Sequence, residues 1–121
     1  MPKKILIVDD SESIREVLAF SIANAGYEVL VASDGLEALK YLDGRTIDLL
    51  LTDYHMPNLN GLELMKKVRA TDSYKFLPIL VLTTENQITI MKEARDFGAT
   101  GWLTKPFNTE KLLQTLRKVI R

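Results

Sequence analysis

Asp9 and Asp10 directly follow an apolar run at residues 5–8, Asp53 follows another at 49–51 and Thr52, Thr83 follows residues 78–82, and Lys105 comes just after Thr104. Any one of these side chains, taken alone, reads as a turn former or a helix cap. Their joint occurrence behind separate apolar runs points to chemistry instead. Three carboxylates brought within a few ångströms repel and raise one another's pKa, so the cluster calls for a cation, and Lys105 alone cannot neutralise it. A hard divalent ion with oxygen ligands is the natural remedy, and Mg²⁺, which keeps several waters and takes one or two protein carboxylates, suits a shallow site. The hydroxyl of Thr83 and the ammonium of Lys105 could then hold phosphoryl oxygens.

Bringing those residues together requires five strands ending at one edge. Short β-branched and aliphatic runs at Lys4 to Val8, Glu28 to Ala32, Ile47 to Thr52, Ile79 to Thr83 and Trp102 to Thr104 alternate with stretches of helical periodicity. In the first helical stretch Ile14, Val17, Leu18, Ile22 and Ala25 share a face, with Ser11 as N-cap and Gly26 just past the end. Leu36, Leu39 and Leu42 form a second stripe. A third helix over 61–70 is capped by Asn60 and turns Leu62, Met65 and Val68 inward; a fourth carries Ile90, Met91, Ala94 and Phe97 and stops at Gly98. The fifth begins after Asn108 or Thr109 and presents Leu112, Leu116, Val119 and Ile120. Nearly continuous apolar strands are those of a parallel sheet covered on both faces. With right-handed crossovers, the expected fold is an α/β sandwich of the flavodoxin-like (βα)5 type, a five-stranded parallel sheet in order 2-1-3-4-5. In that order strands one, three, four and five are neighbours, and the five polar residues converge beyond their carboxyl ends.

Composition narrows the classes. The 121 residues suit one domain with one compact core. Sixteen basic against sixteen acidic residues give a net charge of +0, which removes the long-range attraction on which nucleic-acid binding depends, so direct nucleic-acid binding is not expected. The absence of cysteine excludes disulfides, thiolate zinc sites and thiol catalysis. The apolar runs fall far short of the roughly 20 residues that span a bilayer, and residues 1–4 lead into no signal-peptide pattern, so no membrane association and a cytoplasmic location are expected. A flavin-binding role is opposed by the acidic stretch DDSES at 9–13. A phosphatase with an aspartyl nucleophile would carry a second Asp two residues after the first, where this chain has His55. Neither a GxxxxGK[ST] loop nor a GxGxxG turn occurs.

The motifs ILIVDD at 5–10, LLLTDYHMPNLNG at 49–61, PILVLTT at 78–84 and FGATGWLTKPF at 97–107 resemble those of the receiver domain of two-component response regulators, over essentially the whole chain. The format, with residues 1–121 expected to form one receiver domain and no output domain, resembles that of stand-alone CheY-like receivers. The resemblance implies that Asp53 is the phosphoacceptor and that Asp10, Asp53 and the backbone carbonyl of His55 bind Mg²⁺, with Asp9 acting through a bound water. It implies a phosphohistidine on a sensor histidine kinase, or a small acyl phosphate, as donor, and a chain that promotes only its own phosphorylation and dephosphorylation. Lys105 then pairs with the phosphoryl group, and Thr83 donates a hydrogen bond to it.

Phosphorylation adds about one negative charge and three acceptor oxygens, which draws Thr83 toward Asp53. In the resembling family the aromatic residue at the position of Trp102 then turns inward, reshaping the face of helix four, strand five and helix five for a downstream target protein. Trp102 is larger than the usual Tyr or Phe there, and its N–H needs a partner when buried. His55 and Glu85 flank the phosphoryl group in this family and tune its hydrolysis; His55 also reads as a solvated loop residue. Lys105-Pro106 corresponds to a cis peptide bond. Ile88, Met91 and Arg95, with Trp102, are the expected partner contacts, with ordinary packing the other reading of the apolar pair. Chemotaxis is the familiar role of this format; a phosphorelay intermediate or a phosphate sink is the alternative.

Overall fold

The computed structural model describes residues 2–84 and 88–120, and of residues 88–90 the backbone alone. Five strands, β1 (Lys4–Val8), β2 (Glu28–Ala32), β3 (Leu49–Asp53), β4 (Ile79–Thr83) and β5 (Gly101–Thr104), alternate with α1 (Glu12–Asn24), α2 (Gly35–Tyr41), α3 (Gly61–Ala70), α4 (Ile88–Asp96) and α5 (Thr109–Val119). The sheet is wholly parallel, in the expected order β2-β1-β3-β4-β5. Its register sets Val8 beside Thr52, Asp53 beside Leu82, and Thr83 beside Thr104, so the three central strands end almost level.

Alternation along each strand divides the core in two. Leu6, Val8, Leu50, Ile79 and Val81 face α2, α3 and α4, with Leu64, Met65 and Val68. Ile5, Ile7, Leu49, Leu51 and Leu80 face α1 and α5, with Leu18, Ile22, Leu112 and Leu116. Both layers are sealed by local signals. Ser11, Asp34, Asn60 and Asn108 cap α1, α2, α3 and α5, and Asn60 forms a reciprocal capping box with Glu63. Gly26 and Gly98, at φ +100° and +105°, end α1 and α4 in the left-handed region that a Cβ disfavours.

Several expectations need correction. Val17 is 51% exposed and Ala25 is exposed as well, because α1 meets the sheet through a narrow stripe of Ile14, Leu18 and Ile22. Leu36 is exposed while Ala38 takes the buried place on the short α2. Phe97 lies outside the core, its ring covered by the Lys66 ammonium 4.4 Å from its centroid. On α3 the buried side chains include Leu64, and Leu62 packs at the margin. Strand β3 begins at Leu49, two residues later than expected, and includes Asp53. A short 3₁₀ turn at Asp72–Tyr74 was not expected.

Candidate functional site

Parallel pairing brings the ends of β1, β3, β4 and β5 together, and their polar residues meet there. Asp9 is fully buried, Asp53 is 7% exposed and Thr83 2%, whereas Asp10 is open to solvent. One carboxylate oxygen from each of Asp9, Asp10 and Asp53 lies within 4.8 Å of the other two. The Lys105 ammonium sits 3.0 Å from Asp9 Oδ2 and 3.2 Å from Asp53 Oδ2, bridging two acids from separate strands.

The backbone fixes these positions. The Lys105 N–H donates to the Thr83 carbonyl at 2.8 Å, and the Lys105-Pro106 peptide bond is cis, as the motif implies. The Tyr54 N–H donates to the Leu82 carbonyl at 3.1 Å, holding the chain just past Asp53 against β4. Asp9 Oδ1 accepts from the Ser11 N–H at 2.9 Å, and the Arg15 guanidinium donates to the Asp9 carbonyl at 2.7 Å. Gly61 has no room for a side chain, since a Cβ would collide with the Asp53 carbonyl oxygen. Asn58, at φ +68°, donates from its amide to Asp34 at 2.9 Å, tying the loop after β3 to the start of α2.

Electrostatics match this crowding. Burial, then the charge of Asp9, pushes the Asp53 carboxyl above the usual carboxylate range, and Lys105 offsets this only in part. For Lys105, burial acts to lower the pKa, yet the hydrogen bond to Asp9 and the charges of Asp53 and Asp9 together raise it. A cluster of three carboxylates against one ammonium, open to solvent at Asp10, is a set of hard oxygen donors with negative charge in excess and fits a divalent cation of the Mg²⁺ kind. The Tyr54 phenol, donating to Glu93 at 2.7 Å, is pushed up to about 12 by burial and by that contact.

Asp9, Asp10, Asp53 and Lys105 are thus brought into one pocket, with Thr83 at the neighbouring strand end. His55 is exposed two residues beyond Asp53, its ring edge-on to Tyr54 at 4.9 Å. Met91, Arg95 and Trp102 line one cavity of about 320 Å³ together with Lys92, and Trp102 is 38% exposed. Glu85 lies outside the described residues, as does the side chain of Ile88. Sequence reasoning missed Arg15, Asn58 and the Tyr54–Glu93 pair; for Asn58, an asparagine before Leu59-Asn60-Gly61 was a legible hint of left-handed backbone.

A doubly wound parallel sandwich with three acids and a lysine at the carboxyl edge of its sheet defines a class, and sequence comparison gives it its family. The family model for the response regulator receiver domain matches residues 5–117, and the chain belongs to that family. It is 40% identical over all 121 residues to response regulator MprA of Mycobacterium sp. (strain KMS), and it spans about half the length of that relative, 52%. The structure of the chemotaxis protein CheY4 of Vibrio cholerae superposes with a TM-score of 0.95 at 47% identity, covering 99% of this chain and 100% of that one. The receiver domain of sensor histidine kinase PA1611 from Pseudomonas aeruginosa, solved with a magnesium ion coordinated in its active site cleft, superposes with a TM-score of 0.90 at 25% identity, covering 98% of each chain. Among the described residues no helix is long and apolar enough to cross a membrane.

Proposed function

We propose that this chain is a phosphorylation-dependent signalling switch that accepts a phosphoryl group on Asp53. The observation that carries this reading is the Lys105 ammonium held between Asp9 and Asp53 while an oxygen of Asp10 lies within 4.8 Å of both acids. An Asp53 oxygen attacks phosphorus in line with the leaving group; the new O–P bond forms as the P–N bond to a histidine of the donor breaks, and that imidazole, already protonated on its other ring nitrogen, takes the bonding pair and leaves neutral. Asp10, Asp53 and the His55 carbonyl would hold Mg²⁺, with Asp9 acting through a water; the clustering of the three acids supports this. When bound, the ion neutralises oxygens on both the nucleophile and the phosphoryl group. Lys105 exchanges a carboxylate partner for a phosphoryl oxygen, and the Thr83 hydroxyl donates to another. His55 and Glu85 set the rate at which water reaches the acyl phosphate.

The donor is a histidine kinase or a phosphotransfer protein, and the chain works in the cytoplasm, promoting only its own phosphorylation and dephosphorylation. The reader of the signal is a downstream protein that meets the face of α4, β5 and α5, centred on Met91, Arg95 and Trp102 with Ile88 adjoining. Similarity to CheY4 favours a chemotaxis-type target. A tenfold preference for the phosphorylated face requires about 1.4 kcal/mol of differential binding.

The test is incubation with a small acyl phosphate, with and without Mg²⁺, followed by intact-protein mass measurement. Wild type should gain one phosphoryl group only with Mg²⁺, and Asp53→Asn should gain none; undiminished uptake by the variant refutes the assignment. Phosphorylation should also change Trp102 fluorescence relative to a control with Mg²⁺ and no donor, and an unchanged spectrum on chemically phosphorylated protein removes Trp102 from the switch.

A further inference from the structure

The residue after Asp53 makes a contact that phosphate chemistry does not need. Tyr54 is 7% exposed and packs in the same core layer as Ala94 of α4. Its backbone is fixed on both sides, with its N–H donating to the Leu82 carbonyl at 3.1 Å and its carbonyl accepting from the Gly61 N–H at 2.9 Å. The phenol nonetheless reaches across to α4 and donates to Glu93 Oε1 at 2.7 Å, although 39 residues separate the two in sequence.

Helix α4 gives that single contact unusual leverage. Of its described side chains, residues 91–96, only Ala94 is buried. Its far end is pinned through the turn that follows, where Arg69 Nη2 donates to the Gly98 carbonyl at 2.6 Å and the Thr100 N–H donates to the Ile79 carbonyl at 2.7 Å. Met91, Lys92 and Arg95, on the same helix as Glu93, line the cavity beside Trp102. The Tyr54 hydroxyl and the turn at Gly98 are thus two separate anchors of the described part of α4, and a change at either can shift its exposed face. The Tyr54 hydroxyl grips it from a backbone that cannot shift apart from Asp53.

We propose that Tyr54 is a positioning residue whose hydrogen bond to Glu93 conveys the state of Asp53 to α4, and so sets the conformation of the Met91, Arg95 and Trp102 surface. The proposal rests on the reading of Asp53 as phosphoacceptor. The contact requires a hydroxyl donor at 54 and an acceptor oxygen at 93. Phenylalanine at 54 keeps the ring's packing and removes the donor, whereas glutamine at 93 retains an oxygen that can accept.

The experiment is amide hydrogen exchange at residues 91–96 in the full chain with Mg²⁺, with and without a small acyl phosphate, for wild type, Tyr54→Phe, Glu93→Ala and Glu93→Gln, with phosphate content read by intact mass. In the unmodified protein Tyr54→Phe and Glu93→Ala should each speed exchange at α4 about tenfold, equivalent to about 1.4 kcal/mol, with β1 and β3 unchanged. Glu93→Gln should stay near wild type. On phosphorylation, the change in α4 exchange seen in wild type should disappear in Tyr54→Phe while phosphate content stays equal. A merely structural contact would loosen α4 in both states and leave that change intact, which overturns the proposal. Unaltered α4 exchange in unmodified Tyr54→Phe overturns it too, as does a phosphorylated wild type whose α4 exchange does not move. If wild type takes up no phosphate, the reading of Asp53 fails, whereas the unmodified variants still report on the tether separately.

Discussion

Replacing Lys105 by methionine keeps much of the aliphatic stem and deletes the ammonium that lies 3.0 Å from Asp9 and 3.2 Å from Asp53. The side chains of Asp9, Asp53 and Lys105 are only 1%, 9% and 15% exposed, so solvent screens the contact poorly. Removing one partner of a buried ion pair costs about 3–5 kcal/mol, and the open flank at Asp10 places this case at the lower end, about 3 kcal/mol. Unfolding entropy near 2.1 cal/mol/K per residue converts that into a fall in Tm of about 12 °C for a chain of this size. The assay is thermal unfolding by circular dichroism at pH 7 with chelator present.

The pH dependence gives an independent check. The folded pKa of Lys105 is raised, so its contribution is fully present below the ordinary value of 10.5 and is lost as pH rises through the folded value. The deficit of Lys105→Met should hold from neutral pH to about there and then close. On the acid side, Asp53 is already raised and rises further without the ammonium, so the deficit should shrink as protonation proceeds toward 3.8. Saturating Mg²⁺, worth about 2.7 kcal/mol at a hundred times its Kd, should rescue the variant more than wild type, since no ammonium competes for the same oxygens. Melting curves that overlay in chelator at pH 7, or a deficit undiminished at pH 4, would refute the reasoning.

Gly61→Ala should destabilise the protein by about 1–3 kcal/mol in urea unfolding, because the added methyl meets the Asp53 carbonyl, and it should slow phosphate uptake measured by mass. Asp10→Asn should leave the melting curve in chelator nearly unchanged, since the side chain is exposed, yet weaken Mg²⁺ binding measured by titration calorimetry. Asp53→Asn should stabilise the metal-free protein at pH 7. Burial and Asp9 raise the Asp53 pKa, so the stability tied to its protonated form is fully present below 3.8 and lost as pH rises through the folded value; the gain over wild type should therefore fade on acidification.

Much of this could be read from the chain before any coordinates. Five apolar runs, the central three buried on both faces, leave few arrangements for a parallel sheet, and the acids and lysine follow those runs directly, so strand order alone brought Asp9, Asp53 and Lys105 together. Periodicity identifies the direction of a buried stripe and not its width, which depends on what the helix meets. That is why Val17, Leu36 and Phe97 stand in solvent although each continues an apolar pattern. The contacts that steady the site were beyond local reading for a different reason. Tyr54–Glu93 and Asn58–Asp34 join residues 39 and 24 positions apart, and nothing in either local stretch names its counterpart.

The sheet is also a partition, and neighbouring residues of one strand stand on opposite sides of it. Leu50 and Leu51 are consecutive, yet Leu50 belongs with α2, α3 and α4 and Leu51 with α1 and α5. Isotope-labelled methyl groups at these two leucines would act as paired listeners on opposite sides of a wall, both two or three residues from Asp53. A modification at the pocket that disturbs only one resonance reveals which half of the molecule receives the message, without any probe on the surface where a partner must bind.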